Sequence, residues 1–290
     1  AGLKALGITA KSAAPNGGEF ERDAKGELTG WLRGAPAWQF AYAKLAKPGL
    51  DRVRESLRNC FKELNRLGVT SIGDMQGEAV TFAHRRIVAE MARTGELTLR
   101  VNFYIDPDSA GDELAQLTTA AAEVKQLPQS DWFRFAGFTA NPGRAIVETD
   151  LGAVREGNSL AAEAREKLRR MVQFFAAGGY SFRLSTTRDL AARDSLDVIE
   201  QVHAATPLSR QRVAIADLDE VSAQTIERVK RLGAGIAVPT RLALRGERFV
   251  DLWGAERARH APPLRQLLDA GIVIGAGSDG FQAGNYSPMV

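Results

Sequence analysis

Four aspartates stand where the sequence turns from a short apolar segment to a polar one. Asp74, Asp106, Asp217 and Asp279 each end or directly follow a run of residues typical of a buried strand. Clustered carboxylates can bind hard cations such as Mg²⁺, and a single carboxylate can act as a general base. Carboxylates at the ends of strands also cap the helices that follow and anchor loops. The sequence leaves both roles open and favours capping.

Histidines, the usual ligands of catalytic zinc, are scarce. The chain has three, His84, His203 and His260, and each lies in a segment with helical periodicity rather than at the end of a strand. A histidine metal cluster is therefore not predicted, and these side chains should be partly exposed or cap helices. Nucleophilic catalysis has no candidate, because the sequence holds no Gly-x-Ser-x-Gly turn and Cys60 lies in a helical segment.

Two arginines interrupt apolar runs, Arg134 in Phe-Arg-Phe and Arg183 in Phe-Arg-Leu. Side chains alternate between the two faces of a strand, so both arginines should face away from their apolar neighbours. If that face lines the interior of a barrel, the arginines either bind an anion or form an ion pair with a carboxylate such as Asp279, and the ion pair is favoured. Three aromatic residues in predicted loops would line an apolar pocket or fill one: Phe138, Trp253 and Phe281.

Short β-branched or aromatic segments alternate with longer amphipathic ones along most of the chain. This pattern predicts seven strands, at residues 69–74, 99–105, 132–137, 181–185, 212–216, 235–239 and 272–276. Helices are predicted at about residues 47–67, 77–95, 109–127, 158–178, 188–205, 219–233 and 255–270. The fold class is therefore α/β. A (β/α)8 TIM barrel is favoured over a doubly wound sheet, because no Gly-x-Gly-x-x-Gly turn follows the first strand and the repeat count is one short of eight.

The beginning of the chain has a different pattern. Apolar and polar residues alternate over residues 17–32 around a turn at Asp23–Gly26, which predicts a β-hairpin. Residues 1–34 are therefore interpreted as the end of a small β-rich element, and residues 35–290 as the barrel.

The composition is that of an ordinary globular protein. Of 290 residues, 44% are hydrophobic and 25% are charged, which excludes a fibrous or disordered chain. The 38 basic and 35 acidic side chains are interspersed and leave a net charge of +3, so nucleic acid is not predicted as a partner. One cysteine predicts a reducing, cytoplasmic location. No segment is apolar over the length of a membrane span, so a membrane is not predicted as a partner. The expected partner is a small-molecule substrate or ligand, and a homo-oligomer is left open.

Four segments together resemble amidohydrolase family 3: AGLKALGIT at 1–9, GGEFERDAKGELTGWLRGA at 17–35, LGVTSIGDM at 67–75 and LLDAGIVIGAGSDG at 267–280. The family contains metal-dependent hydrolases of the N-substituted formamide deformylase type, which act on C–N bonds other than peptide bonds. The resemblance implies a distorted (β/α)8 barrel with a β-rich insert that ends in the predicted hairpin. On that pattern the seven strands are the second to the eighth and the first is missing. We therefore expect the sequence to be part of a longer polypeptide.

The resemblance also implies which positions would hold a metal, and most of them differ here. Active relatives would bind Zn, Fe or Mn through a lysine at the position of Arg134 and histidines at the positions of Ser185 and Ile215. Arginine stays protonated and has no lone pair to offer a metal. No cofactor is therefore predicted for this chain, and its catalysis is expected to be lost or reduced.

Two aspartates, Asp189 and Asp279, keep the family pattern. In an active relative the aspartate after the eighth strand would move a proton from metal-bound water to the leaving amine, so Asp279 is the catalytic candidate. Arg134, Arg183 and Ser185 are the candidates for binding substrate. Two alternatives stay open: an active hydrolase with a rearranged ligand set, and a non-catalytic protein that binds a small molecule or an anion.

Overall fold

The structure is a computed structural model of the chain. It describes residues 2–16, 18–75, 80–107, 112–140, 160–239, 246–247, 249–251 and 253–277. The chain forms two compact units, Ala1–Val53 and Arg54–Val290. Within the described ranges, no helix combines the length and the apolar character needed to cross a membrane.

The first unit is a β-hairpin flanked by short helices: α1 (Gly2–Ala5), β1 (Glu19–Arg22), β2 (Leu28–Arg33) and α2 (Ala35–Tyr42). The two strands pair antiparallel, as predicted. Asp23 holds the turn, because its Oδ1 accepts hydrogen bonds at 2.9 Å from the backbone N–H groups of Lys25 and Glu27. Phe20 is the largest side chain of a small core of its own. That residues 1–34 end an inserted element and residues 35–290 form the barrel stays a prediction.

The second unit contains one parallel sheet of seven strands. They are β3 (Ser71–Asp74), β4 (Arg100–Ile105), β5 (Phe133–Thr139), β6 (Phe182–Ser185), β7 (Val213–Ala216), β8 (Gly235–Pro239) and β9 (Ile274–Gly277). Each strand pairs with the next one in the sequence, so the order across the sheet is the chain order. A doubly wound sheet would reverse its order at a switch point, whereas a barrel keeps it. The order therefore supports the barrel.

Eight helices with described bounds accompany this sheet: α3 (Leu50–Arg66), α4 (Phe82–Arg93), α5 (Glu113–Val124), α6 (Ala162–Gly178), α7 (Asp189–Ala205), α8 (Ala223–Leu232), α9 (Ala255–Arg259) and α10 (Leu264–Asp269). Residues 246–247, 249–251 and 253 are also helical. At least one of the eight helices lies between each pair of successive strands. The predicted α/β class is confirmed, and the strands match the second to the eighth of a distorted TIM barrel. Among the described residues, no strand corresponds to the first.

The main core lies between the sheet and the helices and is rich in phenylalanine. The Phe103 and Phe133 rings of β4 and β5 stack with centroids 4.6 Å apart. Phe138 of β5 stacks on Phe175 of α6 at 5.4 Å, and Phe182 of β6 contacts Phe175 at 5.1 Å. All five rings are almost fully buried. Each contributes roughly 1.5–3 kcal/mol through burial alone, so these contacts hold the middle strands against α6.

Strand β5 extends further than the sequence predicts. The prediction ended the strand at Gly137 and placed Phe138 in a loop, but the strand continues to Thr139 and Phe138 is fully buried in the core. Gly137 has a φ of 151°, and the register with β4 shifts beside it. This bulge turns Phe138 towards the helices and pairs Thr139 with Arg183. The placement of Phe138 in a pocket-lining loop is therefore wrong.

The helix predicted over residues 255–270 is two helices. α9 ends at Arg259 and α10 begins at Leu264, with Pro262 and Pro263 between them. Proline has no backbone N–H and clashes with the preceding helical turn, so a pair of prolines ends the helix. The predicted single helix is therefore wrong at its centre.

Glu96 joins α3 to the loop that follows α4. Its carboxylate pairs with Arg54 and, at 2.6 Å, with Arg58 of α3. The hydroxyl of Thr94 donates a further hydrogen bond to this carboxylate at 2.9 Å. Hydrogen bonds from Arg54, Arg58 and Thr94 lower the pKa of Glu96 from its ordinary value of 4.5 to about 2.

Replacing Glu96 with glutamine should reduce stability in a pH-dependent way. The folded pKa lies below the unfolded one, so the ion pairs stabilise the fold fully above pH 4.5 and less as the pH falls towards 2. Thermal unfolding of E96Q should therefore differ most from wild type near neutral pH. Glu63→Gln is the control, because Glu63 pairs with Arg66 of its own helix. A difference for E96Q that stays constant down to about pH 2 would contradict this reasoning.

Candidate functional site

An ion pair lies at the carboxyl ends of β6 and β7. Arg183 Nη2 is 3.4 Å from Asp217 Oδ2, and the two side chains are only 14% and 24% exposed. Ser185 and Ala216 are the last residues of β6 and β7 and pair with each other, and Asp217 directly follows Ala216. Asp217 has a φ of 65°, a left-handed conformation that aspartate tolerates better than most residues. The structure therefore contains an ion pair of Arg183 with Asp217; Asp279 lies outside the described residues.

Arg134 lies at the other end of the sheet from this pair. It is exposed at the start of β5, and its Nε is 3.4 Å from Asn102 Oδ1. The residue of β5 that pairs with Arg183 is Thr139, five positions after Arg134. That separation is about 15 Å along a strand, so the structure does not bring the two arginines together. A role for either arginine in binding substrate stays a prediction.

Neutral side chains follow Arg183 where the resemblance implies a histidine ligand. Ser185, Thr186 and Thr187 are all buried. Thr186 donates its backbone N–H to Ala216 at 2.9 Å, which continues the pairing past the end of β6. The Oγ1 atoms of Thr186 and Thr187 are buried and have no hydrogen-bond partner among the described residues. This end of β6 therefore offers hydroxyl groups and no imidazole, and substrate binding by Ser185 stays a prediction.

Ile215, at the other histidine position that the resemblance implies, faces the helices. Its side chain is fully buried in the main core. An apolar side chain has no atom that can ligate a metal, and on that face it does not reach the interior of the barrel. The polar residue nearest to it at the strand end is Asp217, which is paired with Arg183.

The three histidines have local hydrogen-bond partners. His84 Nδ1 is 3.0 Å from the backbone nitrogen of Thr81 and caps α4, and His203 Nδ1 accepts from the backbone N–H of Leu208 at 3.1 Å. His260 Nε2 is 3.3 Å from Glu256 Oε1. Among the residues that the structure describes, no group of three or more His, Cys, Asp or Glu side chains is arranged to hold a metal.

A second polar cluster surrounds Trp253. The guanidinium carbons of Arg188 and Arg257 lie 5.0 and 5.3 Å from the centre of its ring, in cation–π contact. Glu220 pairs with both arginines, at 3.2 Å from Arg188 and 2.6 Å from Arg257. Trp253 and Glu220 line a cavity of about 570 Å³. The sequence predicts a loop at Trp253, whereas this residue is helical in the structure. Its partners had no local signal in the sequence, because Arg188 and Glu220 follow β6 and β7 and Arg257 lies on α9.

Comparison with known proteins assigns this fold to a family. A family model described as the amidohydrolase family matches residues 1–290. The chain belongs to the amidohydrolase family. The resemblance predicted from its four sequence segments is thereby confirmed.

Relatives of this amidohydrolase-family chain are hydrolases. N-substituted formamide deformylase of Arthrobacter pascens is 23% identical over 305 residues, which cover 99% of this chain and 54% of the relative. A metal-dependent hydrolase of uncharacterized function from Pyrococcus horikoshii OT3 is similar in structure, with a TM-score of 0.69 and 18% identity over 99% of this chain and 55% of that one. Atrazine chlorohydrolase of Arthrobacter aurescens TC1, solved with zinc, is similar in structure with a TM-score of 0.53. It is 17% identical, and the match covers 82% of this chain and 51% of that one. The chain thus spans about half the length of these relatives.

A structurally similar protein solved with zinc raises the question whether this chain's donor set fits a divalent metal. Of the three described residues at the implied positions, only Ser185 lies at the ends of the strands beside Arg183 and Asp217. Arg134 lies at the other end of the sheet, and Ile215 is buried in the main core. Arg183 adds a positive charge beside Asp217, which would repel a cation and competes for the carboxylate. These residues do not fit a metal of the kind that imidazole-rich sites bind.

Proposed function

We propose that this amidohydrolase-family chain has lost, or retains only weakly, the metal-dependent hydrolysis of C–N bonds other than peptide bonds. The observation that carries the proposal is the ion pair of Arg183 with Asp217 at the strand ends. It supports a barrel whose interior is held together by its own charges instead of by a metal. The ligand of such a barrel would be a small molecule, and its location would be the cytoplasm.

The chemistry of hydrolysis explains why the donor set matters. Amides react slowly with neutral water, and a bound divalent metal accelerates the reaction by lowering the pKa of water and polarising the carbonyl group. Ser185 does neither, because a serine hydroxyl is a poor metal ligand, and Arg134 lies at the other end of the sheet. A general base such as Asp279 would then have only neutral water to activate.

A turnover assay tests this proposal. The full-length protein, supplied in turn with Zn²⁺, Mn²⁺ and Fe²⁺, should hydrolyse N-substituted formamides and simple amides no faster than the metal salt alone. The Arthrobacter pascens deformylase serves as the positive control for the assay. Metal-dependent turnover that Asp279→Asn abolishes would contradict the proposal and would indicate an active hydrolase with a rearranged ligand set.

A further inference from the structure

Two arginines, Arg100 and Arg134, lie near the amino ends of β4 and β5 on the face of the sheet that points away from the helices. Their neighbours along the strands, Val101 and Phe133, are buried in the main core. Side chains alternate between the two faces of a strand, so both arginines share the opposite face, and both are exposed. Asn102, two residues after Arg100, pairs with Arg134. The backbones of the two arginines are therefore roughly 8 Å apart.

Neither arginine forms an ion pair within the described parts of the chain. The guanidinium carbon of Arg100 lies 5.3 Å from the centre of the Trp132 ring, in cation–π contact. Arg134 Nε donates a hydrogen bond to the neutral Oδ1 of Asn102 at 3.4 Å. Asp131 is next to Trp132 in the sequence, but its carboxylate pairs with neither arginine. Because like charges repel each other, an anion bound between the two guanidinium groups would stabilise both.

The surrounding face of the sheet supplies hydrogen-bond donors and no negative charge. Ser71 of β3 pairs with Arg100 and Gly73 pairs with Asn102, so these residues also share the face. The Oδ1 atom of Asn102 is used by Arg134, which leaves its Nδ2 group as a donor. None of the described residues on this face of β3, β4 and the start of β5 is acidic: Ser71, Gly73, Arg100, Asn102, Tyr104 and Arg134.

Two guanidinium groups favour an anion with two charges over an anion with one. Each guanidinium presents a planar fork of N–H donors that matches the oxygens of a carboxylate or a phosphate. A carboxylate carries one negative charge, which a single arginine neutralises. A phosphate monoester carries about −1.5 to −2 at neutral pH and offers three strong acceptor oxygens. It therefore uses both Arg100 and Arg134.

The indole of Trp132 adds apolar surface beside these charges. Trp132 directly precedes β5, and its backbone C=O accepts the N–H of Val101 at 2.8 Å, which holds it next to Arg100. The side chain is 42% exposed. Part of its ring faces the guanidinium of Arg100, and the exposed part is open to a ligand. A flat apolar group attached to the phosphate would pack against this surface.

We propose that Arg100, Arg134 and Trp132 form a binding site for a small phosphate monoester with a flat apolar group. The two guanidinium groups bind the phosphate oxygens, Asn102 donates a further hydrogen bond through Nδ2, and the indole contacts the apolar group. The site lies near the amino ends of the strands, whereas the ion pair of Arg183 lies at the carboxyl ends, where barrels of this kind carry their active sites. It does not depend on whether the chain hydrolyses C–N bonds.

Phenyl phosphate is a suitable probe, and benzoate is its counterpart with the same ring and a single charge. Isothermal titration calorimetry of the full-length protein at constant ionic strength and pH 7.5 should show saturable binding of phenyl phosphate. Benzoate should bind at least tenfold more weakly, and inorganic phosphate severalfold more weakly because it lacks the ring. Absence of saturable phenyl phosphate binding, or benzoate binding of equal strength, would overturn the proposal.

Substitutions of exposed side chains locate the site. Arg100→Gln and Arg134→Gln should each weaken phenyl phosphate binding about tenfold or more, since each removes hydrogen bonds to a charged group. Trp132→Phe should weaken binding severalfold and remove the change in tryptophan fluorescence on binding. Arg86→Gln is the matched control, because Arg86 is an exposed arginine of α4 on the other side of the sheet and its loss should leave the affinity unchanged. Wild-type affinity in either R100Q or R134Q, or an equal loss in R86Q, would overturn the proposal.

Discussion

Replacing Phe138 with alanine should destabilise the barrel unit by about 3–5 kcal/mol, the usual cost of removing a fully buried phenyl ring. The ring stacks on Phe175 at 5.4 Å and meets Phe135 and Tyr180 edge-on at 5.0 and 5.2 Å. Alanine would leave a cavity among aromatic rings that β5 and α6 hold in place. Urea-induced unfolding of the full-length protein, followed by circular dichroism, measures the loss.

Two companion variants show whether the loss comes from the ring itself. Phe138→Leu keeps much of the volume and should cost clearly less than F138A. Trp132→Ala removes a larger aromatic side chain just before the same strand, but Trp132 is 42% exposed. W132A should therefore lower the free energy of unfolding by about 1 kcal/mol or less. Equal losses in F138A and W132A would show that Phe138 is not the centre of the packing.

Replacing Gly137 with alanine should lower the free energy of unfolding by about 3 kcal/mol or more, although it adds only a single methyl group. Gly137 has a φ of 151°, which residues with a side chain rarely adopt. An added Cβ would also press on the carbonyl group of Ser181, 2.8 Å from its carbon. The oxygen of the same carbonyl accepts the backbone hydrogen bond of Phe138 at 3.0 Å. The methyl group would therefore push β5 and β6 apart at the register that places Thr139 beside Arg183.

Gly275→Ala is the matched control for this substitution. Gly275 also lies in a strand of the sheet, yet an added Cβ there has no neighbour within 4 Å and its φ is not in the left-handed region. Urea unfolding of G275A should therefore give nearly wild-type stability or a small gain. A G137A variant as stable as G275A would mean that the bulge in β5 is not required.

The strands of the barrel were predictable from the sequence because their apolar runs are separated by amphipathic helices. β8 coincides with its prediction over residues 235–239, and the other strand starts shift by one or two residues. The end of β5 was not predictable in this way. Simple alternation assumes an unbroken pleat, whereas the bulge at Gly137 reverses the faces of the residues after it, and with them the surroundings of Phe138.

The sequence predicted an ion pair between an arginine and a carboxylate inside the barrel, but it did not predict which carboxylate takes part. Alternation placed Arg183 on the face opposite Phe182 and Leu184, and the structure pairs it with Asp217. Which carboxylate it reaches depends on the left-handed turn at Asp217, which only the folded backbone determines. The Trp253 cluster was beyond prediction for the same reason, because Arg188 and Glu220 reach it from loops far away in the sequence.

Metal content is the decisive measurement for the proposed loss of hydrolysis. The full-length protein would be produced with added Zn²⁺, Fe²⁺ and Mn²⁺, dialysed against metal-free buffer and analysed by plasma mass spectrometry. With a hydroxyl at Ser185, a buried apolar side chain at Ile215 and Asp217 paired to Arg183, we predict far less than one metal ion per chain. One tightly bound metal ion per chain that is lost in Asp279→Asn would contradict the proposal.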